Sequence, residues 1–192
     1  ITFHTKKRMV TTVISLDYDG CADLERLASK AIKIQKSEEG SPLSEEEAAK
    51  ESVRKFIKES KSAYKARDKK SDYYHPVLWE LFKKAKAGEK VVIAMGSLRQ
   101  TDTLDSYNSK EKKLKLLAKN ALPCMVDELN NLYPGTFSYH STRLSDLGMY
   151  PDMSKAFIVM SILQRYADAD CHIECWDDDM HTCELMQQLV TI

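Results

Sequence analysis

Long hydrophobic runs are missing from this chain of 192 residues: none is long enough to span a bilayer, and no signal peptide is visible. An excess of either charge is missing as well. Lys plus Arg and Asp plus Glu both number 29, so the net charge is zero and the field of the whole molecule makes no general case for nucleic acid or anionic membrane as a partner. The five cysteines are an odd number without the spacing of a small disulfide framework, which points to reduced thiols and an intracellular working environment. What is present suffices for one compact domain, since a chain of this length with 43% hydrophobic residues can bury a sizeable core. Ile1 opens the chain without a methionine and Ile192 closes it inside an apolar helical pattern, so we expect a piece of a longer chain, with any targeting or anchoring segment outside it.

The stretch Thr12 to Gly20, T-V-I-S-L-D-Y-D-G, organises the rest. Val13, Ile14 and Leu16 make a short β-branched run of the kind buried on both faces of a parallel sheet. It stops at Asp17 and Asp19, and Gly20 allows a sharp exit. In open α/β sheets ligands bind beyond the carboxyl ends of the strands, where paired carboxylates are better placed for chemistry than for packing. A plain strand followed by a polar turn accounts for the same residues, because Asp and Gly also build turns.

A charged region without strand patterning follows. It reads as a helix from about Ala22 to Lys36, a break at Glu39-Gly40-Ser41-Pro42, and a second helix opened by a capping box of Ser44 and Glu47. Val53, Phe56, Ile57, Ser60 and Tyr64 continue that helix at helical spacing. Pro76 starts a third helix through Val77, Leu78, Leu81 and Phe82, which ends before Gly88. The segment from 22 to 89 exceeds what a crossover between parallel strands needs, so part of it is expected to form a lid or wall over the strand ends. Val91 to Met95 is a second buried strand, ending at Gly96-Ser97. Helices over 110–121 and 123–132, a strand over Thr136 to His140, a helix from Ser154-Lys155, a strand over Cys171 to Trp176 and a helix over Met180 to Leu189 complete the order. The pattern predicts an α/β protein with a doubly wound parallel sheet and one helical insertion between its first two strands.

Asp17 with Asp19, Ser97, Lys155, and Asp177 with Asp178 each follow or adjoin a strand end, so the fold can bring them together. A magnesium-dependent phosphoryl-transfer site needs this set. One carboxylate attacks phosphorus, a second protonates the leaving oxygen, a hydroxyl and an ammonium hold the phosphoryl oxygens, and further carboxylates hold Mg²⁺. The pattern resembles the haloacid dehalogenase (HAD) phosphatase superfamily over essentially the whole chain, through L-D-Y-D-G, A-M-G-S, Lys155 and C-W-D-D-D. The resemblance implies that Asp17 is the nucleophile and Asp19 the general acid and base, while Ser97 and Lys155 bind the phosphoryl group. It implies further that Asp17, the Asp19 main-chain carbonyl and Asp177 hold Mg²⁺, with Asp178 acting through water. On L-D-Y-D-G-C-A-D-L (Leu16 to Leu24), G-S-x-R-Q (Gly96 to Gln100) and the insertion, the chain looks most like the HAD-type phosphotyrosine phosphatases that Legionella secretes into host cells as effectors. That likeness implies tyrosine-phosphorylated host proteins as substrates, action in the host cytoplasm, and membrane targeting by a region missing beyond residue 192. It makes Arg99 a candidate substrate contact, although a surface arginine capping a loop is the equal alternative.

The same residues bear on other chemistries. A cysteine-dependent phosphatase needs five residues between Cys and Arg, whereas Cys21 and Arg26 have four between them and no glycine-rich loop; Cys21 is expected to pack beside the site. Cys171, His172, Cys175, His181 and Cys183 crowd like zinc ligands, but strand alternation turns His172 away from Cys175, so buried core cysteines are expected. Asp179 reads as a helix N-cap rather than a ligand. From Val53 to Lys90 there are 12 basic and 5 acidic residues. A solvated helix face accounts for the surplus, and steering of an anionic substrate is the other reading. The Arg54, Lys58, Lys61 and Lys65 face fits a nucleic-acid end-processing phosphatase only if aromatic rings interleave with the charges, and along the sequence none accompany it, so nucleic acid is not expected as a partner. Tyr73, Tyr74 and Trp79 suit either packing or stacking on an aromatic leaving group. The alternatives that remain are a HAD phosphatase acting on a small-molecule or nucleic-acid-end phosphate and a HAD module retained for binding alone, and intact Asp17, Asp19, Lys155 and Asp177 count against the second.

Overall fold

A computed structural model describes residues 11–17, 21–22, 45–95, 123–140, 155–166 and 170–190. The helices expected over Ala22 to Lys36 and over 110–121, the capping residue Ser44, and the site candidates Asp19, Ser97 and Arg99 lie outside these residues. Of Lys155 only the backbone position is described.

Four strands form one sheet: β1 (Thr11–Leu16), β2 (Lys90–Met95), β3 (Phe137–His140) and β4 (Cys171–Trp176). All pair in parallel, in the spatial order β3-β2-β1-β4. The sequence explains the central place of β1, because Thr12 to Leu16 is buried without alternation and only a strand covered on both faces tolerates that. On one face lie α1 (Glu45–Ala66), α2 (Pro76–Lys86) and α3 (residues 123–132). There Ile14, Leu16, Val91 and Ile93 pack with Phe56, Ile57, Phe82 and Leu129 in one core. The other face carries α4 (Lys155–Tyr166), whose Ile162 meets Val13 and Ala94. Beside it α5 (Met180–Val190) packs on α4 and β4. Each fully buried Leu, Ile or Phe contributes about 1.5–3 kcal/mol, so this two-sided core explains why the sheet forms.

This is an α/β architecture with a four-stranded, all-parallel sheet flanked by helices, and its order is compatible with a doubly wound, Rossmann-like fold. The described part of the segment between β1 and β2 lies against the sheet face. Val53, Phe56 and Ile57 of α1 belong to the same core as Ile14 and Ile93, and Lys50, Lys58 and Lys61 each meet α3 or the residues at its end. The rest of the segment, part of which is expected to form a lid or wall over the strand ends, spans residues 23–44 and lies outside the described residues.

Local chemistry sets the helix ends. Pro76 opens α2 at its first turn, and the His75 ring caps it, with Nδ1 accepting from the Leu78 N–H at 3.3 Å. Both α1 and α2 end in the same double hydrogen bond: Asp68 N–H to Ala63 O with Arg67 N–H to Tyr64 O, and Glu89 N–H to Lys84 O with Gly88 N–H to Ala85 O. The pivot of this motif is left-handed, and in α2 it is Gly88, at φ +80°. In α1 the same position is Arg67, at φ +56°, where a side chain costs about 1 kcal/mol relative to glycine. At the sheet edge, Asn130 exchanges two hydrogen bonds with the Phe137 backbone at 2.7 and 2.8 Å, satisfying groups that an edge strand leaves open.

Candidate metal centre

After β3 the chain crosses back and adds β4 on the far side of β1, so the direction of winding reverses between β1 and β4. The described helices that come after those two strands, α1 and α5, lie on opposite faces, and in open α/β sheets such a reversal marks a crevice at the carboxyl ends. Residues Leu16 and Trp176 are paired in register, and the ladder runs one step further as the Asp17 N–H donates to Trp176 O at 2.9 Å. Asp17 and Asp177 therefore leave neighbouring strands side by side. Carboxylate oxygens of Asp17, Asp177 and Asp178 lie within 4.8 Å of one another. Asp17 is only 5% exposed, Asp177 is half-buried and Asp178 is exposed.

The three acids fit a divalent cation. Two oxygens on one ion at about 2.1 Å are at most about 4.2 Å apart, and the slightly longer bonds to Ca²⁺ extend that limit to about 5 Å. An all-oxygen donor set suits a hard cation and does not by itself choose between Mg²⁺ and Ca²⁺. Asp179 does something else. One of its oxygens accepts from the His181 N–H at 3.2 Å, and the other from the Thr182 N–H and hydroxyl at 3.3 and 2.7 Å. It is the N-cap of α5, as the sequence predicts. The Thr182 hydroxyl bond, helped by the two backbone N–H groups and opposed by slight desolvation, holds its carboxyl below the usual range. Asp177 is oriented by the same turn, accepting from the Asp179 N–H at 2.9 Å.

Of the predicted site residues, Asp17, Asp177 and Asp178 are brought together, and Lys155 stands at the first position of α4. The cysteine and histidine crowd does not assemble. His172 is exposed and faces Glu174 at 3.4 Å, Cys171 donates to Tyr166 O, and Cys183 donates to Asp177 O. Cys171, Cys175 and Cys183 are half-buried rather than fully buried, and among the described residues only the acidic trio has metal-ligand spacing. Cys21 packs against the core beside the site. Sequence reasoning missed His75. With Nδ1 accepting, Nε2 carries the proton and donates to Ala22 O at 3.1 Å, while the Ala22 N–H bonds back to Asp17 O at 3.3 Å. A histidine directly before a helix-opening proline was the available signal.

The basic face of α1 is partly compensated, since Arg54 meets Glu51 at 3.6 Å and Lys58 meets the buried Glu128 at 3.7 Å. Tyr73 packs on Phe56, and Tyr74 on Trp79 edge-to-face at 4.7 Å, so their rings serve packing among the helices. Among the described residues no helix is long and apolar enough to cross a membrane. What fold and site define together is a parallel α/β protein with a candidate cation centre at its switch point. Compared with protein-family models, curated proteins and solved structures, the chain matches none.

Proposed function

We propose that the chain is a Mg²⁺-dependent phosphomonoesterase of the HAD type, working through an aspartyl-phosphate on phosphotyrosine in host proteins, as a secreted bacterial effector. The observation that carries the chemical part is the convergence of Asp17, Asp177 and Asp178 at the carboxyl ends of β1 and β4. The order of motifs along the sequence supports the remainder: D-x-D-G after β1, Ser97 after β2, Lys155 opening α4, and Asp177-Asp178 after β4.

On this reading an Asp17 oxygen attacks phosphorus, the bond from phosphorus to the ester oxygen breaks, and Asp19 gives its proton to the departing alkoxide or phenoxide. Asp19 then takes a proton from water, which attacks the phosphorus of the aspartyl-phosphate and restores Asp17 with release of phosphate. Ser97 and Lys155 hold the phosphoryl oxygens. Asp17, Asp177 and Asp178 would hold a divalent cation, which would supply positive charge against the phosphoryl oxygens.

Phosphate release from para-nitrophenyl phosphate and from phosphotyrosine and phosphoserine peptides, with Mg²⁺ or EDTA, tests the reading. Metal-dependent turnover that Asp17→Asn abolishes is expected, with phosphotyrosine preferred. Turnover insensitive to EDTA and to Asp17→Asn would sink the mechanism, and equal rates on both peptides would sink the substrate assignment.

A further inference from the structure

At the opposite end of the sheet the described residues enclose a second recess, of about 510 Å³. Lys86 sits in the last turn of α2, just before β2 begins, and Tyr133 follows α3, just before β3 begins, so this recess faces the amino edge of the strands. The acidic trio follows their carboxyl ends, a strand length of about 20 Å away. Half-buried rings of Tyr64, Trp79 and Tyr133 form its walls, and Lys61, Lys65, Arg67 and Lys86 supply cations.

Some of this charge has an ordinary cause. The carbonyl ends of α1, α2 and α3 converge here, and basic side chains in last turns complement them; Lys61 donates to Leu132 O at 3.3 Å and lies 4.0 Å over the Tyr133 ring. Two features are left over. Among the described residues no carboxylate lines the recess, and Lys65, Arg67 and Lys86 have no acidic partner. Arg67 holds the left-handed position that α2 gives to Gly88, so a less stable residue stands where it lines the recess, and strain of this kind gathers at functional sites. Burial and the neighbouring Lys65 also hold the Lys61 ammonium below its ordinary value, as expected where cations face no counter-charge.

We propose that this recess is a second ligand site, for a nucleoside phosphate, with the base against the aromatic walls and the phosphate on Lys65, Arg67 and Lys86. The volume lies within the range of about 300–1,000 Å³ typical of small-molecule sites. Aromatic rings stack on any base, and a guanidinium fork fits phosphate oxygens. The site stands apart from the proposed phosphatase centre and does not depend on that reading.

Calorimetric titration with AMP, adenosine, inorganic phosphate and phosphotyrosine, in EDTA, tests it on the wild type and on Asp17→Asn, Arg67→Gly and Lys86→Gln. AMP is expected to bind with a Kd between about 10 µM and 1 mM, at least about tenfold tighter than adenosine or phosphate alone. Arg67→Gly is expected to weaken AMP by about tenfold or more while its Tm holds or rises by about 2–4 °C, and exposed Lys86→Gln to weaken it without altering Tm. Asp17→Asn is expected to bind AMP unchanged. No heat at millimolar AMP, equal affinity for phosphotyrosine, undiminished binding by both basic-residue variants, or loss of binding in Asp17→Asn would each overturn the proposal.

Discussion

Asp17→Asn removes one charge from the acidic trio while keeping its shape. Without a cation the three carboxylates, all within 4.8 Å of one another, repel. Two unit charges about 5 Å apart cost about 3.3 kcal/mol at an effective dielectric of about 20 and about 0.8 kcal/mol in bulk water. Asp17 is buried but Asp178 is exposed, so about 1–2 kcal/mol per pair is the appropriate range. The substitution deletes two of the three pairs and is expected to stabilise the metal-free protein by about 2–4 kcal/mol, a rise in Tm of about 4–16 °C for a chain of this size. Metal offsets most of that difference. A cation at a hundred times its Kd adds about 2.7 kcal/mol to the wild type and little to a variant that binds it poorly. Thermal unfolding of both proteins in EDTA, Mg²⁺ and Ca²⁺ reads the effect. A variant that melts below the wild type in EDTA, or a wild-type Tm that neither cation moves, would refute the reasoning.

Asp179→Ala is expected to lower Tm, because α5 loses its cap, while the Tm gain from Mg²⁺ persists; loss of the metal response would make Asp179 a ligand instead. Its depressed carboxyl pKa gives stability that is present above the ordinary value of 3.8 and lost as pH falls through the folded value, so wild type and Asp179→Ala should converge in acid. Lys84→Met leaves Glu174 (2.6 Å) and Glu89 (3.5 Å) without their cation and is expected to cost about 1–3 kcal/mol in chemical denaturation. Burial alone would push the Lys84 ammonium down, but the two carboxylates override it and hold it above 10.5; its contribution is complete below that pH and fades only as pH rises through the folded value. A deficit of Lys84→Met that shrinks already at about pH 8 would contradict this. Ser60→Ala removes a fully buried hydroxyl that has no partner among the described residues and is expected to raise Tm by about 2–4 °C, and a fall would show that the hydroxyl is satisfied.

How much of this was legible in the sequence depends on how local each cause is. Strand β1 was readable from its nearly continuous apolar run and β4 from its alternation of Cys171, Ile173 and Cys175 with His172 and Glu174, both ending in aspartates, and α2 because Pro76 fixes its start. The cap role of Asp179 needs only its own helix and was equally plain. The pairing of Asp17 with Asp177 and Asp178 required the strand order, which no local pattern states, and came into view only as an ordered series of motifs. The recess was invisible for the same reason. Along the sequence the basic residues of α1 have no interleaved aromatic platform, yet Trp79 and Tyr133 reach Tyr64 and Lys61 from two other helices, because all three helices end at one edge of the sheet. His75 linking a helix cap to Ala22 is likewise a contact between segments 53 residues apart.

Behind the zero net charge, the acidic trio stands at the carboxyl ends of the strands, while Lys65, Arg67 and Lys86 toward the amino edge have no acidic partner among the described residues. Helix ends partly support both. The start of α5 lies beside Asp177 to Asp179 and favours negative charge, while the carbonyl ends of α1 and α2 favour Lys65 and Lys86. This arrangement makes a strong demand on the proposed chemistry. A phosphate dianion cannot approach three neighbouring carboxylates unless their charge is met first, and a divalent cation reduces three negative charges to one. The remainder must come from basic groups on the crevice side, and Lys155, at the opening of the helix that leads into β4, stands at the place in the chain from which it could be supplied. The amino-edge cations are a strand length away and screened over about 10 Å at ordinary ionic strength, so they cannot supply it. Metal dependence on this reading follows from charge balance at the switch point.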